Sequence, residues 1–181
     1  MSSRESALLI STSEFWTVCA AAPCCDDSCM NRAIYWECTK DNCTVGECCQ
    51  NRRFQRKQYA PLQPFKTDHK GWGLRAKGPI KSGGFVIEYV GEVVDVDACE
   101  ARVRRYKEED KCLYVHVLNE RLVIDAGMKG NMARFMNHSC EPNCTTVRWV
   151  VANEDRIGVF ALRPIETGEE ITIDYSCKPS V

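Results

Sequence analysis

Eight of the chain's 13 cysteines lie within residues 19–49, at Cys19, Cys24, Cys25, Cys29, Cys38, Cys43, Cys48 and Cys49. Nothing else in the sequence limits the fold so tightly. The segment has few large apolar residues, so it has little core of its own and needs cross-links. Disulfides or metal–thiolate bonds are the two candidates. The N-terminus, "MSSRESALLISTSEFW", lacks a charged region followed by an apolar block. No secretory signal is expected, and no apolar run approaches the roughly 18 residues of a membrane span. An intracellular setting is therefore expected, where thiols stay reduced and dense clusters bind zinc.

From Cys25 the spacing is C-x3-C-x8-C-x4-C-x5-C, ending at Cys49. Five thiolates exceed one tetrahedral zinc. Adding Cys19 and Cys24 makes seven, which serve two zinc ions if one sulfur bridges them. The expected ligand set is Cys19, Cys24, Cys25, Cys29, Cys38, Cys43 and Cys49, with Cys48 spare. Closed thiolate sites leave no position for a reacting water, so this metal is expected to be structural.

Beyond residue 64 cysteine becomes sparse and strand signals begin. The basic run "NRRFQRK" (51–57) and the prolines Pro61 and Pro64 read as a bridge and linker. "FVIEYVGEVV" (85–94) is β-rich, with a bend expected at Gly91. Residues 95–110 fit a helix with Asp95 as N-cap and Ala98, Ala101, Val103 and Tyr106 as its inner face. "LYVHVL" and "RLVIDA" look like one hairpin. "RWVVANEDRIGVFAL" looks like another, turning at Asn153–Asp155. "EEITIDY" (169–175) is a last strand. With 44% hydrophobic and 27% charged residues, a folded domain is expected. The 24 Lys and Arg against 25 Asp and Glu argue against a general polyanion binder.

The segment "RFMNHSCEPNC" (134–144) is too rich in side-chain chemistry for a plain strand and too broken for a helix. Together with "KGWGLRA" (70–76), "EYVGEV" (88–93) and "ITIDY" (171–175), it resembles the SET-domain protein lysine methyltransferases, over about residues 65–175. The cysteine block running into "CQNRRFQ" resembles the AWS (associated-with-SET) zinc region. That pairing is typical of the NSD-type and Ash-type enzymes, which methylate lysine 36 of histone H3 on nucleosomes using S-adenosylmethionine. The resemblance implies a mostly β (α+β) architecture: a SET-domain β-clip of several small sheets with a pseudoknot, behind a zinc-stabilised AWS module. The expected division is a lead-in at 1–18, the AWS region and linker at 19–64, the SET domain at 65–176 and a short tail at 177–181.

The family's functional residues carry over where the motifs match. Asn137 and His138 would line the cofactor pocket within the pseudoknot, with His138 itself a satisfied core histidine. Arg134 and Phe135 would support that pocket. Gly71 and Gly73 would let backbone approach the cofactor, Trp72 would pack along it, and Lys70 would meet its carboxylate. Tyr175 matches the catalytic tyrosine, Tyr114 would sit near cofactor and lysine, and Tyr89 would wall the lysine channel. Ile173, where the family usually has Phe or Tyr, would leave room for higher methylation states. His69 and His116 are read as structural.

The pattern departs from the family in two further places. The AWS region usually opens with C-x-C, whereas four residues separate Cys19 from Cys24. Cys140 normally joins three cysteines of a post-SET tail, but only Cys177 follows the last strand here, so two zincs are expected rather than three. The expected partners are histone H3 and the nucleosome, with local DNA contact through "RRFQRK", no membrane, and a nuclear, chromatin location. The alternatives are a methyltransferase for another histone or non-histone lysine, or a catalytically silent histone-binding SET module.

Overall fold

The structure is a computed structural model and describes residues 29–175. Cys19, Cys24, Cys25, Cys177, the lead-in and the tail lie outside the described residues. Short strands dominate, in four small sheets. An antiparallel pair joins β1 (Leu62–Lys66) to β2 (Trp72–Ala76). Pro64 sits within β1 rather than in a linker, so the paired chain begins earlier than the sequence suggested. A three-stranded antiparallel sheet has the order β3–β9–β8 (Phe85–Tyr89, Glu154–Ala161, Cys144–Val151). A second has the order β4–β6–β5 (Gly91–Asp95, Leu122–Gly130, Val115–Val117). The break between β3 and β4 falls beside Gly91, as expected, and hands the chain from one sheet to the other. The β8–β9 hairpin turns at Ala152–Asn153, both left-handed at φ 51° and 65°, one residue earlier than expected.

The fourth sheet is small and unusual. β7 (Asn137–His138) and β10 (Thr172–Ile173) pair in parallel, so the last strand lies alongside the "NHS" segment. Asn143 fastens this pairing. Its Oδ1 accepts from the Thr172 amide at 2.9 Å, and its Nδ2 donates to the Glu170 carbonyl at 2.7 Å and to the Glu169 carboxylate at 2.9 Å. An amide side chain can satisfy donor and acceptor of a neighbouring strand at once, which explains why a polar residue sits buried here.

Helix α2 (Val96–Glu108) starts as expected, with the Asp95 carboxylate accepting from the Ala98 amide at 2.7 Å. Its inner face differs from expectation. Tyr106 is buried as expected, but Ala98 and Ala101 are exposed and Cys99 is buried instead. Asp125 on β6 sets the rotation: buried, it accepts from Arg102 at 2.9 Å, Tyr106 Oη at 3.1 Å and the Gly127 amide at 2.8 Å. Burying that carboxylate is tolerable only with such partners.

The cysteine block, with the short helix α1 (Met30–Ala33), docks onto the β8 edge. Trp36 forms a parallel bridge with Val150: the Glu37 amide donates to the Val150 carbonyl, and the Val150 amide to the Tyr35 carbonyl, both at 2.9 Å. Phe54 is buried with its ring 4.6 Å from Phe85 and 5.6 Å from Trp149. A Cβ at Gly158 would come within 2.5 Å of that ring, so only glycine admits it. The Arg53 guanidinium lies 5.6–5.8 Å from the rings of Phe85, Trp149 and Phe160. Arg52 is buried, and Arg56 donates to the Cys49 and Glu47 carbonyls. Arg52 and Arg53 of the basic run are thus packed in a seam between block and sheet, whereas Arg56 and Lys57 stay exposed.

Candidate functional site

The sheets converge on a cavity of about 420 Å³. β3 ends in Tyr89, and burial pushes the hydroxyl of this residue up, above the ordinary tyrosine range. Residues around β5 supply Tyr114 and His116, half-buried and alternating with exposed Leu113, Val115 and Val117 at strand periodicity. The His116 ring lies 5.3 Å from that of Tyr89, tilted by 48°, and burial lowers its imidazole pKa, favouring the neutral ring. β10 adds buried Ile173, followed by Asp174 and Tyr175. Tyr89, Tyr114, Tyr175, Arg134 and Ile173, chosen from four separate stretches, therefore share one wall. A narrow chamber lined by aromatic rings suits an aliphatic stem ending in an amine.

The remaining cofactor candidates cluster around β7. Lys70 Nζ donates to the His138 carbonyl at 3.1 Å, which brings the "KGW" turn against the "NHS" segment. Asn137 Nδ2 donates to Glu170 Oε1 at 2.7 Å and to the Trp72 carbonyl at 3.3 Å. Trp72 is half-exposed, with its ring 6.1 Å from that of Phe135. A half-exposed indole, with Lys66 Nζ 5.0 Å from its ring centroid, beside exposed polar backbone fits a planar purine with an amino-acid tail, so these residues suit the cofactor expected from the motifs. Gly71 is left-handed at φ 73° with open space at its Cβ position. A Cβ on Gly73 would instead meet Phe65 at 2.7 Å and Thr67 at 2.9 Å, so that glycine serves packing.

His138 departs from its expected role. It is half-exposed rather than a core residue, and its Nδ1 accepts from the Tyr175 amide at 3.2 Å and lies 3.6 Å from Asp174. Its Nε2 is 3.5 Å from Cys140 Sγ. Among residues the sequence left aside, His116, Met136 and Thr146 line the cavity. For His116 the signal was present: it stands two residues from Tyr114, which immediately precedes β5, and the alternating burial of 113–117 puts both on the same face.

The cysteine block holds a metal-compatible centre. The sulfurs of Cys38, Cys43 and Cys49 all lie within 4.8 Å of one another, and all three residues are buried. Cys29 Sγ is 3.8 Å from Cys38 Sγ. Zinc–thiolate bonds of about 2.3 Å place tetrahedral sulfurs about 3.8 Å apart. Asn31 Nδ2 and Asn51 Nδ2 each donate to Cys38 Sγ at 3.4 Å. Burial pushes the Cys49 thiol up to about 11, so deprotonating it calls for a bound cation. Cys48 is exposed and is not among the clustered sulfurs. Among the described residues no helix is long and apolar enough to cross a membrane.

Residues 71–176 match the family model of the SET domain, and residues 22–57 that of the AWS domain. The chain is 47% identical over 156 residues to a Homo sapiens "Histone-lysine N-methyltransferase, H3 lysine-36 specific", covering 85% of this chain and 6% of that protein. It is 42% identical over 153 residues to "Histone-lysine N-methyltransferase ASHH2" of Arabidopsis thaliana, covering 84% and 9%. It is 44% identical over 177 residues to a Chaetomium globosum protein named as H3 lysine-36 specific, covering 97% and 20%. The chain thus spans a fifth or less of the length of these relatives.

Proposed function

Because this chain belongs to the SET-domain family, with an AWS domain ahead of its SET domain, we propose that it is a protein-lysine N-methyltransferase. Its donor is S-adenosylmethionine and its substrate lysine 36 of histone H3 on nucleosomes. The observation that carries the reading is the convergence of Tyr89, Tyr114 and Tyr175 on one cavity, next to the β7–β10 pairing. The matching relatives supply the choice of lysine.

When bound, S-adenosylmethionine supplies an electrophilic methyl carbon. Lys70, Gly71, Trp72, Arg134, Phe135, Asn137 and His138 hold it, with Tyr114 and Tyr175 at the junction with the lysine channel. The tyrosines orient the amine and exclude water, and alignment alone can supply much of the acceleration. Ile173 is buried on the channel wall and offers no hydroxyl to restrict the amine, which supports acceptance of higher methylation states.

Residues 19–64 act as the AWS region and linker, and 65–176 as the SET domain. Two structural zincs sit on Cys19, Cys24, Cys25, Cys29, Cys38, Cys43 and Cys49. The protein acts in the nucleus on chromatin. Local contact with nucleosomal DNA falls to the exposed Arg56 and Lys57 of the basic run rather than to buried Arg52 and ring-packed Arg53.

The test is transfer of labelled methyl to reconstituted nucleosomes by wild type and Tyr175→Phe, beside nucleosomes with alanine at histone H3 lysine 36. Signal lost in both controls is expected. Signal that survives the alanine substitution overturns the choice of lysine, and absence of signal from wild type overturns the activity. Mass spectrometry showing monomethyl product alone at full conversion overturns the role given to Ile173.

A further inference from the structure

A zinc ion held by four thiolates is a net anion. Here the candidate ligands are sealed: Cys29, Cys38, Cys43 and Cys49 are all buried. A buried anion is tolerable only where hydrogen-bond donors stand in for the water it has lost. Two buried side-chain amides converge on one of these sulfurs. Asn31 Nδ2, from α1, and Asn51 Nδ2, two residues past Cys49, each donate to Cys38 Sγ at 3.4 Å. Asn51 Nδ2 also lies 3.7 Å from Cys29 Sγ and donates to the Trp36 carbonyl at 2.8 Å.

The sense of the Asn51 amide is forced. The Trp36 oxygen can only accept, so the nitrogen of the amide, not its oxygen, faces that carbonyl and the two sulfurs. Asn51 Oδ1 is then left buried without a hydrogen-bond partner. An orphaned buried acceptor is costly, so the compensating gain lies on the nitrogen side. The Asn51 backbone serves the same cysteine, its carbonyl accepting from the Cys38 amide at 2.9 Å. Asn31 reaches Cys38 by its side chain, while its carbonyl accepts from the Ile34 and Trp36 amides and closes α1. Two arginines close in sequence are committed to carbonyls: Arg52 donates to that of Thr39, and Arg56 to those of Cys49 and Glu47.

We propose that Asn31 and Asn51 are positioning residues of the zinc centre, whose amide N–H groups compensate the negative charge that the metal-bound Cys38 sulfur carries. The inference rests on the zinc reading above. A hydrogen bond to an ionised acceptor is about twice as strong as one to a neutral acceptor, so both bonds strengthen in the metal-bound centre. They also draw electron density from the sulfur and lower the energy of its lone pairs. Asn51 reaches two ligand candidates at once, Cys38 and Cys29. Through Trp36, which bridges to Val150 of β8, it further ties the centre to the neighbouring sheet.

The experiment uses the full chain, loaded with zinc and, separately, with cobalt(II) as a coloured stand-in. Zinc affinity is read by competition with a chromogenic chelator, and the cobalt form by its thiolate-to-cobalt charge-transfer band. Asn31→Leu, similar in size and without a donor, should bind zinc about tenfold more weakly. Its charge-transfer band should move to lower energy at full cobalt occupancy, because the sulfur lone pairs are less stabilised. Asn31→Gln, which keeps an N–H donor, should recover most of both effects. Asn51→Leu should show the same two changes, with a lower melting temperature from the lost bond to the Trp36 carbonyl. Asn31→Ala replaces Asn31→Leu if the latter does not melt cooperatively. Weaker zinc binding with an unmoved band would assign the asparagines to packing and overturn the inference, as would no change in either. Absence of zinc from freshly purified, reduced wild type would overturn the zinc reading and this inference together.

Discussion

Tyr175 Oη donates to the Met136 carbonyl at 2.6 Å, tying the residue after the last strand to the segment that leads into β7. The hydroxyl proton is thereby committed. What the oxygen can still do is accept, and an amine N–H is the donor that the proposed reaction brings. Tyr175→Phe should therefore lower kcat by about 10²-fold, the scale of a misaligned nucleophile, and leave cofactor affinity nearly unchanged. Steady-state kinetics beside cofactor calorimetry check this; a loss confined to cofactor binding would contradict it.

Asn143 joins strands that are remote in sequence. Asn143→Ala leaves the Thr172 amide and the Glu170 carbonyl without their partner. Each buried orphan costs about 1–3 kcal/mol. Urea unfolding should show a loss of about 2–5 kcal/mol, while a loss under 1 kcal/mol would mean water replaces the side chain.

Glu169 makes stability depend on acid. Its bond to Arg163, then that to Asn143 and the Glu166 amide, hold its carboxyl down at about 2 against an ordinary 4.5. A depressed carboxyl contributes stability above its unfolded pKa and loses it as pH falls through the folded one. Wild type should therefore lose this contribution between about pH 4.5 and about pH 2. The difference in urea midpoint between wild type and Glu169→Gln should shrink across the same window; a difference independent of pH would refute the assignment.

Phe54 is the plug between cysteine block and sheet. Phe54→Ala should destabilise the protein by about 3–5 kcal/mol, as loss of a buried aromatic ring does. A thermal melt with two separate transitions would follow if the plug alone couples the two parts.

The cysteine centre predicts metal dependence. Native mass spectrometry should count two zincs per chain, and a strong chelator should strip them and expose Trp149, seen as a red-shifted fluorescence. Metal-free, fully folded protein would remove zinc from the account.

Much of the site could be read in the sequence because its residues are chemically distinctive. "RFMNHSC" and "ITIDY" come together in the β7–β10 pairing, and the Cys38, Cys43 and Cys49 sulfurs converge. What escaped were residues whose role depends on a partner far along the chain. Asn143 drew no reading of its own in the sequence, because its partners Thr172 and Glu170 lie some 27–29 residues further on. Arg53 looked solvated because three rings that accept it come from β3, β8 and β9. The face of α2 was misjudged at its alanines because apolar spacing favoured them, whereas a buried carboxylate on β6 claims Arg102 alongside the expected Tyr106. Periodicity reports apolar burial and is silent on buried ion pairs.

The parallel bridge between Trp36 and Val150 has a practical consequence for anyone who would trim this protein. The two family matches stop and restart between residues 57 and 71, which invites a cut there. Such a cut would strip the outer ladder partner from β8 and empty the socket that Phe54 fills. The shortened chain would present a bare strand edge beside an apolar hole, the combination that drives edge-to-edge self-association. The cysteine-rich half is thus the lateral seal of the catalytic half's own sheet.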